Sequence, residues 1–241
     1  MVEAHLGIFI SALCTALGAL PALLLNNVSH RLKDNLLAYS AGIMVAASTY
    51  ALIPSTLKLS NMFVLTVGIL LGTLTLTLLE TYLPHVELEH ANHPGQQANP
   101  LLLIAAMAIH NIPEGISVGV SYASHYEELG SLVSFSIGLQ NFPEGFLVCL
   151  FLITNRVSKL RAFLYTAFTG AIEFVSSLIG LQLTDQFLGV VPYGLAFAAG
   201  SMLFVVYKEL IPESHGDGNE KSATFSFVIG LLTMIIITDM S

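Results

Sequence analysis

Apolar residues dominate the chain at eight places for about 20 positions each, the length at which a helix crosses a hydrocarbon core of ~30 Å. The runs lie at about 6–25, 36–57, 62–83, 101–121, 131–154, 160–182, 187–210 and 223–240. This pattern predicts an all-α integral membrane protein, with one transmembrane domain over residues 1–241 and eight spans. Pro and Gly interrupt several runs, which membrane helices tolerate when neighbours satisfy the freed backbone groups. The first run has no basic n-region and no A-x-A cleavage site, so it reads as a retained helix and not as a signal peptide.

Two pairs of segments repeat. "LAYSAGIMVAASTYALIP" (37–54) and "LAFAAGSMLFVVYKELIP" (195–212) align at a constant offset of 158 and agree at eight of eighteen positions, including a terminal Ile-Pro. "HNIPEG" (110–115) and "QNFPEG" (140–145) align at an offset of 30. The first pair joins spans 2 and 7 and the second joins spans 4 and 5, so the members of each pair cross the membrane in opposite directions. This predicts a 3+2+3 inverted repeat, with spans 1–3 against 6–8 and spans 4 and 5 exchanging across the pseudo-axis. Secondary transporters use that architecture and bind substrate near the midplane between repeats. Shared use of Gly, Ala and Leu by membrane helices explains part of the first match, but explains poorly an Ile-Pro at fixed register.

The second pair is also where polarity breaks the apolar pattern. His110 and Glu114 are i, i+4 on one helix face, and Asn111 is i−3 from Glu114. Gln140, Asn141 and Glu144 repeat that geometry on span 5. If the two faces meet, two carboxylates, one imidazole and three amides converge at similar depth. Pro113 and Pro143 free the carbonyls of Ile109 and Leu139, and Gly115 and Gly145 allow close backbone approach. A third acid, Glu173, stands alone in "AFTGAIEFVSSLIG" of span 6. It either completes a second metal site on the Asn111/Asn141 side or is a protonated acid bonded to a neighbouring helix.

Composition and charge sharpen the picture. Only 10% of the 241 residues are charged and 54% are apolar, with a mean hydropathy of +0.77; an average soluble domain is about 25% charged. Seven of the eight basic residues (Arg31, Lys33, Arg156, Lys159, Arg161, Lys208 and Lys221) fall in or beside the loops after spans 1, 3, 5 and 7, and only Lys58 is on the termini's face. The positive-inside rule then puts both termini outside and those loops in the cytoplasm. The outer face carries Glu3, Glu127, Glu128, Asp185 and Asp239, either an acidic mouth that concentrates cations or ordinary loop solvation. Cys14 and Cys149 both lie in apolar runs and read as small core residues, not as a disulfide.

An isolated carboxylate in the bilayer core costs several kcal/mol, so it pairs, protonates or binds an ion. No Lys or Arg lies at the depth of the motifs, and His110 is the one cationic candidate. A divalent metal therefore balances Glu114 and Glu144 better than anything else the chain supplies, the alternative being protonated acids. His, carboxylate and amide donors suit Zn²⁺, Fe²⁺, Mn²⁺, Co²⁺ or Cd²⁺; soft Cu(I) would call for thiolates, and Mg²⁺ or Ca²⁺ would not need the imidazole.

At these motifs the sequence resembles the ZIP (Zrt/Irt-like protein) family of divalent-metal transporters, over nearly its whole length. "HNIPEG", "QNFPEG" and "AGSMLFVVYKELIPESH" carry the resemblance, and Gln140, where many members have a second histidine, points to the GufA-like branch. The resemblance implies a binuclear centre. One ion would take His110, Glu114, Gln140 and Glu144; the other would take Asn111, Asn141 and Glu173, with Glu114 and Glu144 bridging. It further implies import of metal, zinc foremost, into the cytoplasm across the cell membrane, by sliding one helix group against another. It implies dimers in many members, metal as cargo with no organic cofactor, and no nucleic-acid partner.

Several residues stand apart from the motifs. His85, Glu87, Glu89, His90 and His93 in the loop between spans 3 and 4 either receive exiting metal or are solvated. His5 and His125 would face outside, where they could help capture metal. Ser48 and Thr49 in span 2 and Glu209 and Glu213 in span 7 are candidate path residues, Glu209 being equally readable as a partner of adjacent Lys208. No Walker A motif is present for ATP-driven pumping and no H-E-x-x-H for an intramembrane zinc peptidase. An intramembrane metalloenzyme and a proton-coupled carrier of an organic substrate are the competing classes. Membrane turnover without metal flux would mark the first, and substrate flux under complete chelation the second.

Overall fold

With no water to satisfy a backbone in hydrocarbon, each apolar run closes its hydrogen bonds internally as a helix. A computed structural model describes residues 2–25, 28–82, 100–124, 127–215 and 218–240. Its eight long helices are α1 (Val2–Leu24), α2 (His30–Leu59), α3 (Met62–Tyr82), α4 (Pro100–Ala123), α5 (Glu127–Thr154), α6 (Lys159–Gln186), α7 (Val191–Glu213) and α8 (Glu220–Met240). All eight are long and apolar enough to span a membrane, so the protein is a multi-pass integral membrane protein. The loop histidines His85, His90 and His93, with Glu87 and Glu89, and His125 as well, lie outside the described residues.

Helix starts differ from the hydropathy reading where a polar first turn or a proline decides them. α2 begins at His30, six residues early, because Ser29 caps it: the Ser29 hydroxyl accepts from the Leu32 N–H at 3.3 Å. α7 begins late, at Val191, with Pro192 in its first turn, where a missing N–H costs nothing. Its end reaches Glu213, past the predicted 210.

Both Ile-Pro repeats have a visible consequence. Pro54 and Pro212 cannot donate to the ladder, and each ring crowds the carbonyl four residues back. The chain widens just before each into a π-helical turn, over Ala47–Leu52 in α2 and Val206–Leu210 in α7. There the N–H groups of Ile53 and Ile211 reach back five residues, to the carbonyls of Ser48 and Val206. Such turns recur at functional sites.

The helices pack as two groups of four. α1, α4, α5 and α6 pack on one another; in the other group α2 packs on α7 and α8, and α7 on α3; the main contacts that join the groups are α4–α7 and α2–α5. This pattern maps onto itself when α1 exchanges with α6, α2 with α7, α3 with α8 and α4 with α5. Backbone approaches obey the same exchange. A Cβ on Gly42 would lie 2.1 Å from the Phe227 carbonyl, and one on Gly200 2.4 Å from that of Ile69; Gly230 meets the Tyr39 carbonyl and Gly72 that of Phe197, both at 2.2 Å. Every residue in the first contact of each couple is displaced by 158 from its counterpart in the second. The inverted repeat is thus a property of the packing, and it extends to α3 and α8, where the sequence match is faint.

Contacts between helix ends sort the loops as the charge pattern does. Lys159 Nζ donates to the Leu23 carbonyl at 2.6 Å, Asn219 to Asp34 at 2.8 Å, and Lys208 pairs with Glu80. These tie the ends carrying seven of the eight basic residues to one side. On the other side the Tyr122 and Ser134 hydroxyls bond at 2.9 Å, and Tyr122 fills the space beside Gly7 and Gly130.

Candidate metal site

α4 and α5 remain helical through Pro113 and Pro143 and bring the two motifs together in the middle of the bundle. All seven residues singled out by the sequence, His110, Asn111, Glu114, Gln140, Asn141, Glu144 and Glu173, are buried. The motif glycines are the reason the helices can sit so close, although they do not face each other. A Cβ on Gly115 would lie 2.3 Å from the Glu173 carbonyl of α6, and one on Gly145 would lie 2.0 Å from the Thr15 carbonyl of α1. The tripeptides therefore seat α4 on α6 and α5 on α1.

The polar side chains form three hydrogen-bonded sets where the sequence suggested one cage. Gln140 Nε2 donates to Glu114 Oε1 at 2.7 Å, bridging α5 and α4. Glu173 accepts at both oxygens, from Asn141 Nδ2 at 2.6 Å and from the Ser11 hydroxyl of α1 at 2.7 Å. His110 Nε2 lies 3.0 Å from Glu209 Oε1 of α7. Glu144 lies within electrostatic reach of His110, Glu114, Glu173 and Glu209. Asn111 is buried on the same helix, next to His110. Among the described residues, no three His, Cys, Asp or Glu side chains group tightly enough to hold an ion by themselves; a cation here would also draw on the amides.

Two acceptor atoms stand out between the motif helices. Glu114 Oε2 and Gln140 Oε1 are buried without a hydrogen-bond donor, on residues whose other polar atoms are joined to each other. A buried polar atom left unpaired costs about 1–3 kcal/mol, more for a charged group; hydroxyls elsewhere in the helices, such as those of Ser40, Ser121 and Ser201, are in the same condition, but these two belong to motif residues that are bonded to each other. A cation within reach of both oxygens would remove that penalty. Ser48 Oγ, in the π turn of α2, is likewise buried without a donor, whereas the Thr49 hydroxyl returns to the Val45 carbonyl at 2.7 Å.

One member of the cluster, Ser11, was not expected from the sequence, and Glu209, a candidate path residue, has a different partner from the adjacent lysine. Glu209 is not the partner of Lys208: consecutive helical residues do not face each other, and Lys208 reaches Glu80 while Glu209 reaches His110. An acid inside an apolar span was itself the available signal. Ser11 carried none, being one hydroxyl in an ordinary apolar run. Cys14 and Cys149 are free thiols, as expected.

A family model described as ZIP Zinc transporter matches residues 83–238. The chain is 35% identical to the zinc transporter GufA of Myxococcus xanthus, over 94% of each chain. It is 34% identical to the zinc transporter ZIPB of Bordetella bronchiseptica, over 92% of this chain and 76% of that one. With the zinc transporter ZupT of Chlorobium limicola the identity is 28%, over 94% and 93%.

Proposed function

The chain belongs to the ZIP family of zinc transporters, and from that premise we propose that it imports a divalent transition metal, zinc foremost, into the cytoplasm through the buried cluster between α4 and α5. The observation that carries this reading is the pair of orphaned acceptors, Glu114 Oε2 and Gln140 Oε1, one on each motif helix. Carboxylate, amide and imidazole donors match zinc and its first-row neighbours. One ion takes His110, Glu114, Gln140 and Glu144. A second takes Asn111, Asn141 and Glu173, with Glu114 and Glu144 shared. Cd²⁺, Fe²⁺, Mn²⁺ and Co²⁺ suit the same donors, and no reaction at the metal is needed, so the ion is cargo.

Direction follows from charge. With the basic loop ends in the cytoplasm of the cell membrane, the acidic residues at the opposite face gather cations outside. The division into two helix groups supports a carrier-type alternating access in which the group holding the motifs moves against the other. His110–Glu209 crosses that boundary, so it must open and reform as the groups slide.

Zinc uptake into proteoliposomes tests the reading. The Glu114→Ala/Glu144→Ala double variant, with a thermal melt in detergent confirming that it folds, is expected to reduce uptake to the level of empty liposomes. Uptake at the wild-type rate would rule out this cluster as the route.

A further inference from the structure

A serine in a membrane helix ordinarily turns its hydroxyl back to a carbonyl three or four residues earlier on its own helix. Ser117, Ser136, Ser176 and Ser177 all do so. Ser11 does not. It is 1% exposed, and its hydroxyl leaves α1 altogether to donate to Glu173 Oε1 at 2.7 Å. Its backbone carbonyl meanwhile accepts from Asn141 Nδ2 at 3.3 Å, and the same amide donates to Glu173 Oε2 at 2.6 Å. Residues from α1, α5 and α6 so close a ring around one carboxylate.

The ring is firmly seated. Gly145 of α5 lies against the Thr15 carbonyl, one turn along α1 from Ser11, and the Ser11 Cα stands 3.5 Å from where a Cβ on Gly138 would be. α1 therefore cannot withdraw from α5 at this level without loss of packing. Both Glu173 oxygens are held by neutral donors, and a carboxylate has about four lone-pair sites, so two donors leave it able to ligate a cation. Holding an acid in place beforehand lowers the ordering cost when an ion binds.

We infer that Ser11 is a positioning residue for the second ion: from a helix outside both motifs, it fixes the Glu173 carboxylate beside Asn141. This rests on the two-ion reading above. Ser11 need not touch the metal; it acts through Glu173.

Calorimetric titration of the detergent-solubilised full chain with Zn²⁺, with metal counted per chain after desalting, tests it. The wild type is expected to bind two ions in separable steps. Ser11→Ala loses one hydrogen bond to a charged acceptor and should weaken the second step about tenfold while the first step is unchanged. Ser11→Thr, which keeps the hydroxyl, should restore the second step. An unchanged first step shows that the variant is folded and that the effect is local. The inference is overturned if Ser11→Ala leaves both steps as in the wild type, or weakens both equally as a general packing defect would. A wild type that binds a single ion contradicts the two-ion reading itself and takes this inference with it.

Discussion

Gln140 divides its amide between two tasks. The nitrogen holds Glu114 at 2.7 Å, and the oxygen is left as a buried acceptor facing no donor. Gln140→Leu, close in volume, removes both: Glu114 loses its donor and the cluster loses an oxygen. The KM for zinc uptake should rise at least about tenfold, as read from initial rates in proteoliposomes; an unchanged KM would remove Gln140 from the site. At this scale the sequence was informative wherever polarity stood out against hydrocarbon. All six motif residues and Glu173 were legible as a buried polar cluster because an acid, amide or imidazole in a membrane span demands a partner. What could not be read was who partners whom. Adjacency suggested Lys208–Glu209, yet the helix turns those side chains apart, toward Glu80 and His110. Ser11 was invisible because its role depends on where α1 packs, and nothing local to it sets that.

The elements show how a short repeat becomes geometry. A shared Ile-Pro forces a π turn in α2 and another in α7, and a shared Pro-Glu-Gly seats α5 on α1 and α4 on α6. The proline and glycine positions were legible. Their effect was only half so, since close approach was expected between the two motif helices and occurs instead against α6 and α1. Gly115→Ala and Gly145→Ala place a methyl group 2.3 and 2.0 Å from a backbone carbonyl, where no flexible side chain can yield. Each should destabilise the protein by about 1–3 kcal/mol. Each should also lower zinc uptake more than it lowers folded yield, because the displaced backbone carries Glu173 or the α5 motif. Thermal melts in detergent beside uptake rates check this, and melting at the wild-type temperature would show that the contact is slack.

For the whole molecule, the two-fold exchange and the polarity of the ends were both foreshadowed by sequence, the first by two matched segments and the second by seven basic residues against one. The division into two helix groups was not, because it depends on which apolar faces meet, and apolar faces in membrane helices look alike. The predicted orientation is open to direct measurement. In a background with Cys14 and Cys149 replaced by serine, a membrane-impermeant maleimide should label Glu128→Cys on intact cells, and Lys33→Cys only after lysis. The reverse pattern would invert the direction of transport. Transport by this route requires that an ion reside between α4 and α5. Anomalous diffraction at the zinc edge, from crystals of the whole protein grown with zinc, addresses it most directly. A peak is expected about 2.0–2.2 Å from the oxygens of Glu114 and Gln140. Zinc peaks elsewhere in the protein with none between those two helices would contradict it.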